Sequence, residues 1–285
     1  MIAIRQSCLI AVGLFALAAG HPAHAQSAFP TAEAGATWAD LADLADASDL
    51  VVRAKVKKQA IVPAERARGV APGNVRLYVE AETLALIAGT VPVGESLRYL
   101  VDLPLDSRGK PPKLKRLEVL LFARPVPGRT GDVQLVARDA QMLWSEPLEA
   151  RLRPILSAFA ERDAAPELAG IRDALSVRGN LSGESETQFF LDTTDGEPLA
   201  MSVVRRPGMA PAWGVSYSEI VDQAVSVPQR ETLAWYRLAC FLPAVLPGPA
   251  NLSRDPANRA QASEDYRFVM GSLGPCDRNR TPPQG

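Results

Sequence analysis

The spacing of hydrophobic residues changes along this chain, and each change predicts a different element. From Trp38 to Ala47, Trp38, Leu41 and Leu44 recur at helical spacing while Asp40, Asp43 and Asp46 occupy another face. This predicts a short amphipathic helix with a solvated acidic side. From Leu50 the period becomes two: Leu50, Val52, Ala54 and Val56 alternate with Val51, Arg53, Lys55 and Lys57, which predicts a half-buried strand. A long polar loop carrying Pro63, Gly69, Pro72 and Gly73 follows. Further strands are predicted at Arg76–Ala88, Ser96–Leu103, Leu117–Ala123 and Val133–Ala137, the last extended after a bend by Gln141–Trp144. A Lys/Pro-rich loop separates the third strand from the fourth, and Pro125, Pro127 and Gly128 make a turn before the fifth.

The texture becomes helical at Glu146, where Leu148, Leu152, Ile155, Leu156 and Phe159 share a face and Pro154 is expected to kink or split the helix. A second helix is predicted over Pro166–Val177 from Leu168, Ile171 and Leu175. After a turn-rich break at Gly179–Gly183, strands Glu186–Leu191 and Pro198–Val204 flank the hairpin signal Asp192-Thr193-Thr194-Asp195-Gly196. Ala212–Ser218 is expected to add a strand. Ser226 and Gln229 have capping-box spacing ahead of an apolar, buried helix over Thr232–Leu242, which Pro243 stops. A final helix runs over Ala257–Leu273.

The run Asp49-Leu50-Val51-Val52-Arg53-Ala54-Lys55-Val56, the run Val79-Glu80-Ala81-Glu82-Thr83-Leu84 and the turn at Gly89 resemble the opening of exported OB-like domains, which are similar to netrin-type modules. The resemblance covers Trp38 to Trp144 and implies a five-stranded barrel preceded by a short helix. The expected fold is therefore α+β: an N-terminal OB-like barrel over residues 38–145, a helical connector over 146–180, a C-terminal α+β region over 181–276 and a polar tail over 277–285.

The first residues alter this picture. Arg5 precedes an apolar run from Cys8 to Ala19, and Ala23-His24-Ala25 is a small-x-small site. This is the plan of a secretory signal peptide over residues 1–25, cleaved between Ala25 and Gln26 and followed by a flexible leader over 26–37. The expected location is a bacterial periplasm or the exterior, with no transmembrane anchor after cleavage. Cleavage would remove both histidines, His21 and His24, and so exclude Ser-His-Asp, Cys-His and imidazole-ligated metal chemistry. It would also remove Cys8, leaving Cys240 and Cys276, an even pair expected to form a disulfide in an oxidising compartment. That closure is worth about 4 kcal/mol in the chain-entropy treatment.

At 47% hydrophobic and a net charge of −1, the 285-residue chain is neither compositionally disordered nor a globally basic nucleic-acid binder. Its charge is uneven: residues 50–124 carry 14 basic and 7 acidic side chains, residues 146–285 carry 14 and 18. Candidate binding cations are Arg66, Arg68 and Arg76 near the first barrel loop, and Arg108, Lys110, Lys113, Lys115 and Arg116 in the third. Such loops border the ligand face of OB-like barrels and suit an anionic polymer or an acidic protein surface. Arg205-Arg206 near Trp213 reads as an exposed strand end beside a core Trp. Arg237, in the most apolar helix, requires a carboxylate partner, for which Glu219 and Asp222 are candidates. The only acid–base groups for catalysis are carboxylates such as Asp192, Asp195 and Glu197, or Glu80 with Glu82. The leading expectation is a non-enzymatic exported binding or adaptor protein, without metal or cofactor, that meets an anionic envelope polymer or protein. The alternative is a carboxylate-dependent hydrolase of envelope glycans.

Overall fold

The computed structural model describes residues 35–217 and 226–280. The predicted signal segment, most of the leader, Glu219, Asp222 and the last five residues lie outside them. The chain is α+β, with two mostly antiparallel sheets. Helix α1 (Trp38–Asp46) is capped by Thr37, whose hydroxyl accepts the Asp40 N–H while the Asp40 carboxylate accepts the Thr37 N–H.

Strands β1 (Leu50–Ile61), β2 (Asn74–Gly89), β3 (Ser96–Pro104), β4 (Glu118–Pro125) and β5 (Val133–Leu135) form the first sheet in the order β3-β2-β1-β4-β5. Strand β6 (Gln141–Leu143) also pairs with β4. The sheet curls around its own core of Leu50, Val52, Val56, Leu77, Val79, Leu97, Tyr99, Val101, Leu121 and Val133. Its outer strands β3 and β5 do not pair; only an isolated parallel bridge joins Arg98 to Asp132, the residue before β5, so the expected closed five-stranded barrel is not formed. The opposite face of β1 and β4 is also covered, because Val51, Leu120 and Phe122 pack in a second core with α1 and α2. Burial on both faces explains the continuous apolar runs LVV and VLLFA, where a half-wet strand would alternate.

Helix α2 (Glu146–Ala160) is one helix, with Pro154 on its exposed side. Leu148, Leu152 and Ile155 face the core as predicted. The expected second helix is absent. Residues 168–178 form strand β7 (Leu168–Arg178), the edge of the second sheet. The cause of the misreading is visible in the register. β7 slips against its neighbour between Leu168 and Gly170 and again between Ile171 and Asp173. Each slip adds a residue and shifts the alternation, so Leu168, Ile171 and Ala174 come to share the inner face at helix-like spacing, while Leu175 points outward, 46% exposed. Strands β8 (Ser185–Thr193), β9 (Leu199–Arg205) and β10 (Ala212–Ser216) complete the order β10-β9-β8-β7, with the predicted hairpin between β8 and β9.

Helices α3 (Leu233–Phe241) and α4 (Pro256–Leu273) cover the inner face of that sheet. The cap of α3 is Thr232, whose hydroxyl accepts the Trp235 N–H, in place of the expected Ser226; Ser226 instead bridges β10 at Val215. Cys240 and Cys276 form the predicted disulfide, joining α3 to the segment after α4. Arg205 is not an exposed strand end: it pairs with the fully buried Asp265 of α4, at 2.6 Å. No helix among the described residues is long and apolar enough to cross a membrane.

Two of the three aspartates expected on a solvated side of α1 are buried, and Asp46 stays exposed. Asp40 is 1% and Asp43 6% exposed. Asp40 accepts the backbone N–H groups of Asn279 and Arg280 at 3.1 and 3.0 Å. Asp43 accepts the Tyr236 hydroxyl at 2.7 Å and two nitrogens of Arg278 at 2.6 and 3.0 Å. Asp46 takes Arg237 in a two-point pair at 2.7 and 2.9 Å, so the partner of that buried cation is Asp46. The short, aligned contacts offset the desolvation of these charges only while both partners are present.

Two outcomes follow for stability. Asp43→Ala strands the Arg278 guanidinium and the Tyr236 hydroxyl in the interior, and should lower the unfolding free energy by about 3–5 kcal/mol, read as a fall in the urea midpoint. Reducing the Cys240–Cys276 bond releases the segment it closes and should lower the unfolding free energy by about 2–4 kcal/mol, read from urea melts with and without dithiothreitol.

Candidate functional site

A concavity of about 880 Å³ opens on the first sheet. Its floor is the outward side of β2 and β3. Leu77, Val79, Leu97, Tyr99 and Val101 point into the sheet's core, so alternation turns Arg76, Tyr78, Arg98, Leu100 and Asp102 outward. One wall is the end of β1 with the loop after it, Ile61 to Pro63 and Arg66. The other wall is the β4–β5 turn, with Val126, Arg129 and Asp132, continuing through β5 to Ala137 and Arg138.

Arg66, Arg76, Arg98, Arg129 and Arg138 line this cleft against Asp102 and Asp132, a net charge of +3. Arg76 is held by Asp102 in a two-point pair at 2.7 and 2.8 Å, and this hydrogen bonding raises the Arg76 pKa above its ordinary value. Arg98 pairs with Asp132 at 2.7 Å and donates to the Thr130 carbonyl at 2.9 Å. Among the described residues Arg138 reaches only the Gly69 carbonyl, at 3.5 Å, and Arg66 makes no ion pair. Arg129 also approaches Asp132, at 4.0 Å, so of the five arginines Arg76 and Arg98 are held closely, Arg129 loosely, and Arg66 and Arg138 are the least engaged. Between them Tyr78 and Leu100 are exposed by 37% and 49%, an apolar strip on a charged floor. Tyr99, directed inward, donates its hydroxyl to Gln141 Oε1 at 2.7 Å, and burial pushes its pKa well above the usual phenol range.

Of the cations expected from the sequence, Arg66 and Arg76 line the cleft. Arg68 stands beside it, its carbonyl accepting from the Arg76 guanidinium at 3.2 Å. Arg108, Lys110, Lys113, Lys115 and Arg116 do not line it. Their loop has its own anchors. The Asp106 carboxylate accepts the Arg108 and Lys110 N–H groups at 2.9 and 2.8 Å. Leu114 is fully buried and its N–H donates to Gln59 Oε1, while Gln59 Nε2 donates to the Pro112 carbonyl. Lys113, Lys115 and Arg116 flank Leu114 as exposed side chains.

Arg98, Arg129, Arg138, Asp102 and Asp132 were not singled out from the sequence. Arg98 and Asp102 carried a usable signal, the polar phase of the Ser96–Leu103 alternation. Arg129 and Arg138 lie in turns, where no periodicity marks them.

The carboxylates considered for catalysis, Glu197 apart, have partners of their own. Lys58 pairs with Glu80 and Lys57 with Glu82, and the Lys57 hydrogen bond holds the Glu82 carboxyl below its ordinary pKa. Asp195 accepts the Glu197 N–H across the β8–β9 turn, a bond that depresses its pKa and keeps it an anion, which is unsuited to donating a proton. Asp192 lies 3.9 Å from Arg172. Among the described residues no group of three or more Cys, Asp or Glu side chains is arranged to hold a metal ion. No protein-family model matches the chain, and no curated protein matches it in sequence.

Proposed function

We propose that this chain is a non-enzymatic binding or adaptor protein of the bacterial periplasm or exterior, and that it takes an anionic partner in the arginine-lined cleft of its first sheet. The observation that carries this reading is the convergence of five arginines and only two aspartates on one concavity, around the exposed Tyr78 and Leu100. A concave, one-signed surface concentrates ligands of opposite charge and speeds their arrival. The arrangement also supports an OB-like reading of the sheet. The strand order β3-β2-β1-β4-β5, with β3 and β5 nearly meeting, puts the cleft on the β2–β3 face between the β1–β2 and β4–β5 loops. OB folds use that face and those loops for oligonucleotides and oligosaccharides. The signal-like first 25 residues and the disulfide favour an oxidising, exported setting.

Anisotropy of fluorescein-labelled dextran sulfate, a model anionic polymer, tests the reading. The wild-type chain should bind it, and more weakly as salt rises. Arg66→Glu with Arg138→Glu, the two least committed cations of the cleft, should weaken binding by ~10-fold or more. Lys110→Glu, Lys113→Glu and Lys115→Glu together, outside the cleft, should change it by less than ~3-fold. Loss of binding only in the lysine variant would move the site to the 104–117 loop and overturn the assignment.

A further inference from the structure

The cleft follows two strand edges as well as a strand face. It is lined by the consecutive residues of β3 from Arg98 to Asp102, inward and outward positions alike, and by consecutive residues of β5 from Val133 to Leu135. An outer face alone would show every second residue. The two edges are joined at one point, where the Arg98 N–H donates to the Gly131 carbonyl at 2.8 Å beside the Arg98–Asp132 bridge. Beyond that point β3 pairs with β2 alone and β5 with β4 alone. Period two aims the N–H and C=O groups of Leu100 and Asp102 the same way as those of Arg98, into the gap. Across it, the Val126 N–H donates to the Asp132 carbonyl and the Val136 N–H to the Phe122 carbonyl, so residues 132, 134 and 136 face β4. Val133 and Leu135 therefore face the gap from the other wall. An open edge of this kind is a template for another strand.

We propose that the occupant of the cleft is an extended acidic segment of a partner protein, added as a strand along β3. This rests on the anionic-ligand reading above and names the class of ligand. Charge selects the occupant, because the pairing groups lie among arginines that exceed the aspartates by three. Chain geometry selects it too. A peptide supplies N–H and C=O groups at strand spacing for Leu100 and Asp102, whereas a glycan or polyphosphate offers no matching ladder. The free edge accommodates about five residues. Side chains on one face of the added strand meet Tyr78 and Leu100, while its carboxylates reach Arg66 and Arg138.

The test compares three probes on the full chain: fluorescein-labelled Glu-Val-Glu-Val-Glu-Val-Glu, the same peptide N-methylated at each internal residue, and labelled dextran sulfate. Methylation keeps the charges and removes the pairing hydrogens. The unmethylated peptide should bind at least ~10-fold more tightly than the methylated one. Leu100→Pro removes the edge-facing N–H, at a position where an edge strand tolerates proline. It should weaken peptide binding by ~10-fold while leaving dextran sulfate binding unchanged. Equal binding of the two peptides, or full peptide binding by Leu100→Pro, overturns strand addition; if Arg66→Glu with Arg138→Glu still lowers dextran sulfate binding, the anionic cleft survives that result. Failure of the wild-type chain to bind any probe overturns both. A concentration-dependent dimer abolished by Leu100→Pro would make a second copy the occupant and overturn the partner-protein assignment.

Discussion

Three aspartates on one nine-residue helix hold this fold together, because two of them are buried and all three find their partners at the other end of the chain. A buried carboxylate without donors costs several kcal/mol. Asp40 and Asp43 are therefore tolerable only when Tyr236, Arg278 and the backbone of residues 279 and 280 are in place, and the buried Arg237 only when Asp46 meets it. The Cys240–Cys276 bond lies in the same region, tying α3 to the start of the strap that carries Arg278 and Arg280. One covalent link and a set of charge-assisted hydrogen bonds thus fix the same closure. Trp38 lies edge-on to both Trp235 and Tyr236, which adds aromatic packing to the ionic contacts.

This closure gives the first sheet a rigid back. α1 and α2 press on β1 and β4 from outside while the sheet's own core presses from within, so the two central strands are buried on both faces. The strap extends its hold to the cleft. Arg280 grips the carbonyl and the carboxylate of Asp139, next to Arg138 on the cleft wall. The exposed groups of the cleft thus sit on a packed scaffold, an arrangement common to binding sites carried on loops and edges. The buried network in the second sheet, where Arg205, Thr187 and Gln261 all donate to Asp265, does the same structural work for α4.

Strands such as Ser96–Pro104 were legible because one phase of alternation holds over the length, with every second residue buried, and β4 and β9 because they are nearly continuous apolar runs buried on both faces. β7 was illegible for the converse reason: two register slips in a single edge strand break the phase. Of the candidate cleft, the positive charge and two lining residues, Arg66 and Arg76, were legible in the sequence. Arg66 and Arg76 were found because they border the first loop, but the lysine-rich loop drew attention by composition, and composition carries no geometry. The cleft's remaining cations come from a strand's polar phase and from turns, which meet because β3 and β5 are neighbours in space while the sequence separates them.

By itself, the sequence determined the α+β character and most element positions, which depend on local periodicity, and it pointed to the pairing of Cys240 with Cys276 through the expectation that Cys8 leaves with the signal segment. Tertiary structure decided which polar residues are buried, which cation meets which carboxylate, and that the first sheet leaves a gap between β3 and β5. The reason is physical. A helix with aspartates at every third position is the same amphipathic helix whether water or arginine meets them, and only the path of a chain more than 190 residues further on settles which it is.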